Sequence, residues 1–343
     1  MADICHNNVA MEPGVMEIRV NPKGIVSCEN KGFADMDEQR PIQMDSVLWM
    51  ASSGKTITVI GLMMLVEQGK ISLDDPVKNY LPYFANLYRK EVQEDGTEKI
   101  LPVKTPVTIR HLLSHTAGLD WLPGFFQYQE LSYITLETQS HIYAASPLLF
   151  EPGTRWSYSN AGINVGGRLI EILSGMTYEE YMAEKLFKPL GMKDTTYHLT
   201  TEQESRRIPG YSYDPEKKCW NKHEKIGQML LLPYDGENRH AECGGGLFST
   251  PQDMARLAQM IANRGELDGV RYLSPDSLRE ICKRQTAEDI EKAYGLGSSV
   301  DRVGHGGAWG TNMQVDLNTQ EGTLIMRQKA GTWPEDLVEE KAE

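Results

Sequence analysis

The stretch KTITVIGLMMLVEQGK, from Lys55 to Lys70, constrains the fold more than any other in this chain. Ile57, Val59, Ile60, Leu62, Met63, Met64, Leu65 and Val66 leave it almost no polar face. A surface helix keeps one polar side, whereas a helix that is apolar all round has to be buried on all sides. The segment is therefore expected to form a central helix, closed by Gly69, with the rest of the chain built around it.

Material for a sheet stands at the two ends of the sequence. GVMEIRV-NPKG-IVSCENKG reads as two short strands joined by a Pro/Gly turn, and TNMQVDL-NTQEG-TLIMRQ repeats the pattern. Between them lie helical stretches such as TIRHLLSHTAGL, INVGGRLIEILSG and TYEEYMAEKLF, separated by Pro- and Gly-rich loops. RKEVQEDGTEKILPVK reads as an exposed hairpin about Asp95-Gly96. TPQDMARLAQMIANRG is an amphipathic helix with a Thr cap, a Pro at its first position and a closing Gly. The expected class is α/β (α+β), an antiparallel sheet flanked by helices. Residues 1–74 and 234–343 would make the sheet-containing region. Residues 75–233 would be a mostly helical insertion, leaving a cleft between the two.

Composition narrows the partners. The 343 residues carry a formal charge of −13, which disfavours nucleic acid and anionic membranes. No uninterrupted apolar stretch reaches membrane-spanning length. The start, MADICHNNVAMEPG, has no basic and apolar leader. The five cysteines are scattered without ligand spacing, so neither a zinc site nor a disulfide framework is expected, and the thiols read as reduced and mostly buried. A cytoplasmic location follows, or export with a leader removed. No metal and no cofactor are expected.

The head of the central helix carries the chemistry. WMASSGKTIT contains SGKT, the tail of a phosphate-binding loop, but the first glycine of such a loop would fall on Trp49. A tryptophan cannot give the tight wrap around phosphates. The same stretch places Ser52 three residues before Lys55, and residues so spaced are neighbours on a helix. A serine hydroxyl needs a nearby base to act as a nucleophile. Lys55, at a helix N-terminus and partly buried, would be biased towards its neutral form.

Two further stretches complete a pattern. EPGTRWSYSNAG holds Tyr158-Ser159-Asn160, and VGHGGAWGTNMQVDL holds His305-Gly306-Gly307. Together with S-x-x-K, in this order, the chain resembles the serine β-lactamase-like family. That family includes class C β-lactamases, D-alanyl-D-alanine carboxypeptidases, D-aminopeptidases and β-lactamase-like esterases. The resemblance runs from about Pro13 to Gln328 and includes VEQGKISLDDPVKNYLP, TIRHLLSHTAGL and GGGLFSTPQDMARLAQMI. It implies a β-lactamase/transpeptidase-like fold.

By that resemblance, Ser52 attacks a carbonyl to form an acyl-enzyme, and Lys55 shares or relays its proton. Tyr158 exchanges protons with Ser52 and the leaving group, which requires Lys55 to lower its pKa or to pass protons with it. Asn160 holds Lys55 and substrate. His305, Gly306 and Gly307 form the edge beside bound substrate, and the Ala308 N–H joins that of Ser52 as the oxyanion hole. Trp309 is expected to line the cleft. Trp121 and Trp156 are open between cleft and core. His111 and His115 are read as structural, since no third metal ligand accompanies them.

Position 305 departs from classical β-lactamases, which carry lysine there. A histidine is only partly charged at neutral pH, so small esters, amides or peptides are expected as substrates before penicillins. The leading expectation is a serine hydrolase of esterase or peptidase type. A penicillin-binding D,D-peptidase or class C-like β-lactamase is the alternative, and an inactive binding protein on the same fold is the rival of another class. The short segments before the first strand and after the last would leave the outer face of the sheet thinly covered, which motivates an expectation of self-association as a homo-oligomer.

Overall fold

The computed structural model describes residues 5–6, 12–121, 123–124, 133–224 and 240–330. The apolar run forms the helix Gly54–Glu67, and nearly all of it is buried, from Gly54 through Met63 and again at Leu65. Gly69 turns the chain out of it in left-handed backbone, φ 69°. The helix packs against the helices Asn160–Ser174 and Pro275–Cys282 and against the strand Arg302–Gly306. It is the axis of the main hydrophobic core.

The two ends of the sequence meet in a five-stranded sheet. Its order is Arg302–Gly306, Asn312–Asp316, Glu321–Arg327, Val15–Asn21 and Gly24–Lys31, antiparallel throughout. Alternation sets its two faces. Met16, Ile18, Val20, Met313, Val315, Leu324 and Met326 are buried, and the helix Pro251–Ala262 packs across these strands. That helix starts as its sequence indicated, with Thr250 accepting from the Asp253 N–H and Pro251 at its first turn. Between the inward residues stand Glu17, Arg19, Gln314, Thr323 and Arg327, none of them buried. The second face of the sheet is therefore largely polar and can meet water without a thick cover.

The middle of the chain supplies the helices Leu136–Ala145, Asn160–Ser174 and Tyr178–Met182, and the short helices Ile109–Leu113 and Thr201–Arg206. The hairpin about Asp95-Gly96 is present as Tyr88–Val92 paired with Glu98–Pro102. A second hairpin, Gly210–Asp214 with Cys219–His223, was not anticipated. Its strands bury their first two residues and leave the rest half-exposed, so its alternation is weak. The strands Cys5–His6 and Lys329–Ala330 extend it to four strands.

The cysteine expectation needs one correction. Cys28, Cys243 and Cys282 are free, but Cys219 is disulfide-bonded. It lies on the strand beside Cys5–His6, where Cys5 stands opposite Asn221. Linear spacing carries no trace of that cross-strand proximity. The segment after the last strand, residues 331–343, falls outside the described residues, as do residues 122, 125–132 and 225–239.

Candidate active site

The central helix does not begin abruptly. A 3-10 turn, Ala51–Ser53, precedes it, and Ala51 adopts φ 47°, a left-handed conformation uncommon for a residue with a side chain. This turn sends two adjacent serines in different directions. Ser53 is fully buried, and its hydroxyl meets the His305 carbonyl oxygen at 3.0 Å and the Thr311 hydroxyl at 3.2 Å. Ser52 is left partly accessible. Of the pair, it faces Lys55.

Lys55 is completely buried at the first turn of the helix. Its Nζ lies 2.9 Å from Ser52 Oγ, 2.6 Å from Asn160 Oδ1 and 2.5 Å from the Gly244 carbonyl oxygen. Burial pushes its pKa down to about 7, opposed by the charge of Glu242. A neutral amine has two N–H donors and one lone pair. Asn160 Oδ1 and the Gly244 carbonyl can only accept, so they take the two donors. The lone pair is then directed at the Ser52 hydroxyl, the arrangement a general base requires.

Asn160 is the first residue of the helix Asn160–Ser174, and Ser159 caps that helix by accepting from the Ala161 N–H. Capping and lysine binding are thus divided between two neighbours. Gly244 has to be glycine, because a Cβ there would stand 2.7 Å from Asn160 Cγ.

Tyr158 donates its hydroxyl to Ser52 Oγ at 2.7 Å, and its ring lies 4.8 Å from Lys55 Nζ. Burial pushes its pKa well above the ordinary phenol value. Of the two possibilities left by sequence, this direction favours proton passing over a lowered tyrosine pKa. Tyr158 stands here as a neutral donor to Ser52. The Tyr158 ring is held by His115, Trp121 and Trp156, with centroids at 4.7, 5.6 and 6.2 Å. His115 is buried and bonded to the Tyr294 hydroxyl at 3.2 Å. Burial first, and Lys55 second, keep it neutral. It is a structural histidine, but one that braces the site. His111 caps its own short helix through Thr108.

His305 and Gly306 end the edge strand Arg302–Gly306, so one side of this strand has no neighbour in the sheet. A Cβ on Gly306 would meet nothing nearer than 3.9 Å, whereas one on Gly307 would fall 2.4 Å from the Met50 carbonyl oxygen. Gly307 thus lets the strand end press against the turn that carries Ser52. Among the described residues, neither the Ser52 N–H nor the Ala308 N–H is taken by a hydrogen bond. Burial lowers the His305 pKa to about 4, so its ring is neutral near pH 7 rather than partly charged. Trp309 is buried in the core, its ring edge-on to His223 at 5.4 Å. The aromatic wall beside Tyr158 comes instead from Trp121 and Trp156.

Among the described residues no group of three or more His, Cys, Asp or Glu could hold a metal ion, and no helix is long and apolar enough to cross a membrane. Glu242, buried and acting on Lys55, was missed by sequence reasoning. So were Gly244, Thr311 and Tyr294. Each reaches the site through tertiary contact, and although Gly244 and Thr311 lie inside stretches quoted for the resemblance, nothing local shows what they meet.

The Beta-lactamase family model matches residues 9–342. Esterase EstB of Burkholderia gladioli is 32% identical over 282 residues, covering 75% of this chain and 66% of its own. Simvastatin synthase from Aspergillus terreus superposes with TM-score 0.77 at 21% identity, over 93% of this chain and 89% of that one. The octameric penicillin-binding protein homologue from Pyrococcus abyssi gives 0.69 at 22%, over 94% and 71%. The two solved structures speak for the fold, the β-lactamase/transpeptidase-like arrangement of helices on an antiparallel sheet. This chain belongs to the Beta-lactamase family, as a serine hydrolase of the β-lactamase-related esterase and peptidase kind.

Proposed function

We propose that the chain hydrolyses small esters or amides, D-amino-acid peptides among them, through an acyl-enzyme on Ser52 in the cleft between residues 75–233 and the rest. The observation that carries this reading is the set of contacts around Lys55 Nζ, which leaves a neutral amine only Ser52 to accept from. Lys55 takes the Ser52 proton as Oγ attacks the carbonyl carbon. The N–H groups of Ser52 and Ala308 receive the oxyanion, an interaction worth about 3–4 kcal/mol per donor in the transition state. As the bond to the leaving group breaks, Tyr158 gives it a proton and recovers the one held by Lys55. Water then repeats the sequence on the acyl group. Asn160 holds Lys55 and contacts substrate, Gly306 and Gly307 give the substrate backbone room, and His305 borders the site.

A neutral His305 supplies no fixed cation for a substrate carboxylate, which favours esters and amides over penicillins. The penicillin-binding and β-lactamase alternative therefore stands second. Self-association is a separate part of the proposal. Its support is the octameric state named for the Pyrococcus abyssi homologue, and a monomeric mass by light scattering at micromolar concentration would end it. The reduced-thiol basis for a cytoplasmic location does not extend to Cys219.

The test is brief acid-quenched exposure to p-nitrophenyl acetate, with mass mapping and nitrophenol release. Acetyl on Ser52, with release abolished in Ser52→Ala, is the expected result. An unlabelled Ser52 with no turnover of any ester or amide would favour the binding-protein rival.

A further inference from the structure

Glu242 is a buried carboxylate for which the reaction as written has no use. It is 1% exposed, and the chain turns tightly around it, the Gly246 N–H bonding to its carbonyl oxygen at 2.8 Å. That turn presents the Gly244 carbonyl to Lys55. Its side chain points the same way. A Cβ placed on Gly245 would lie 3.2 Å from Glu242 Oε2 and 3.6 Å from Asn160 Nδ2, so the carboxylate and the amide that holds Lys55 crowd the same small space.

Neither carboxylate oxygen has a hydrogen-bond partner among the described residues. The Asn164 amide and the Gly244 and Gly245 N–H groups lie near enough to favour its charge, but none meets it in bonding geometry. Leaving a carboxylate buried and unpartnered is expensive unless a charge nearby compensates it. Burial raises its pKa above the ordinary carboxylate value, and Lys55 is the cation that opposes this shift. The other titratable groups it acts on are Tyr143, Tyr158, Tyr197 and Cys243, all held protonated by burial. Around Lys55 the remaining groups are Tyr158, His115 and His305, all neutral.

We propose that Glu242 is a positioning residue, the fixed counter-charge that stabilises Lys55 as it takes the Ser52 proton. The proposal rests on Lys55 being the base. Before attack, Lys55 is neutral beside the Glu242 carboxylate. When the Ser52 Oγ–H bond breaks and the proton joins Nζ, a charge pair forms in a site closed to water, where such a pair interacts strongly. Glu242 gains and loses no proton in the step. It touches neither substrate nor the reacting oxygen, and it acts only through Lys55.

The experiment is the pH dependence of kcat/KM for p-nitrophenyl acetate in the full chain, comparing parent, Glu242→Gln, Glu242→Asp and Lys55→Ala. Removing the negative charge makes Lys55 harder to protonate. The acid limb of Glu242→Gln is therefore expected about one to two pH units lower, with a plateau reduced roughly ten- to a hundredfold because the base is weaker. Glu242→Asp keeps the charge and should keep the limb within about half a unit of the parent. A Glu242→Gln protein that melts earlier but keeps its limb in place has lost only packing, and the proposal is wrong. Full turnover in Lys55→Ala would overturn the base and Glu242 together. An unmoved limb in Glu242→Gln with turnover lost in Lys55→Ala overturns Glu242 alone. Should Glu242→Gln fail to fold, carboxyl 13C NMR of the parent decides. The Glu242 signal is expected to move across the pH step of activity, as coupled groups do, and a flat signal there overturns the proposal.

Discussion

Ser53 donates its hydroxyl to the carbonyl oxygen of His305 at 3.0 Å, joining the helix head to the edge strand from the far end of the chain. The Thr311 hydroxyl completes the clasp by bonding to the Met50 carbonyl oxygen at 2.9 Å. One serine of the adjacent pair holds the site together while the other faces Lys55.

Ser53→Ala should therefore cost about 1–3 kcal/mol of unfolding free energy, since it removes a buried donor. A urea melt measures this. Acetyl from p-nitrophenyl acetate should still map to Ser52, and label at position 53 in the parent would contradict the division of labour.

The acid limb of kcat/KM in the parent should fall near pH 7. Lys55 has its pKa lowered to about 7. Below that value the amine is protonated, has no lone pair and cannot accept from Ser52; above it the rate levels off. Tyr158 has its pKa raised, so it stays neutral through this range and cannot produce the limb. Tyr158→Phe should lower the plateau and leave the limb in place. A limb lost in Tyr158→Phe would make the tyrosine the titrating group.

Gly306→Ala and Gly307→Ala make an informative pair. The first adds a methyl to open space and should change stability by less than about 0.5 kcal/mol. The second drives a Cβ to 2.4 Å from the Met50 carbonyl oxygen. The strand end must move away, and the Ala308 N–H moves with it. Loss of one oxyanion donor costs roughly 100- to 1000-fold in kcat. Steady-state kinetics beside thermal melts would separate the two effects.

His305→Lys tests why penicillins are disfavoured. A lysine here offers a carboxylate a charged partner worth about 1.5–3 kcal/mol, or roughly ten- to a hundredfold in kcat/KM. Benzylpenicillin turnover should rise relative to p-nitrophenyl acetate. A second cation near Lys55 would also resist its protonation, so the acid limb should move to lower pH. An unchanged substrate ratio would show that charge at this position does not set specificity.

The residues that sequence assigned to the candidate site, and that the fold brings together, are those with local pattern. Ser52 and Lys55 share a helix turn, and Tyr158 and Asn160 share a loop running into a helix. Their mutual contacts follow from the fold. The central helix and the two terminal hairpins were legible because apolar periodicity and turn residues agree there. Glu242 left no such trace: its role depends on a turn that meets Lys55 from far along the chain. Trp309 follows the glycine strand in sequence, but chain direction reverses at Gly310, φ 86°, and the ring enters the core. The hairpin Gly210–His223 was hidden by weak alternation, and with it the environment that leaves Cys219 bonded.

The pairing of Val15–Asn21 with Glu321–Arg327 has a consequence for biosynthesis. A ribosome releases the first hairpin long before the strand that covers its flank. Met16, Ile18 and Val20 must wait through nearly the whole of translation before their sheet is closed. Loop-closure entropy over that span is paid only when the last strands emerge. Domain-by-domain maturation on the ribosome is thus denied to this sheet, and an open strand edge is the hazard of the delay. Losing the final strand to early termination would leave Ser52, Lys55, Tyr158 and Asn160 all synthesised, on a chain that cannot complete the sheet beside them.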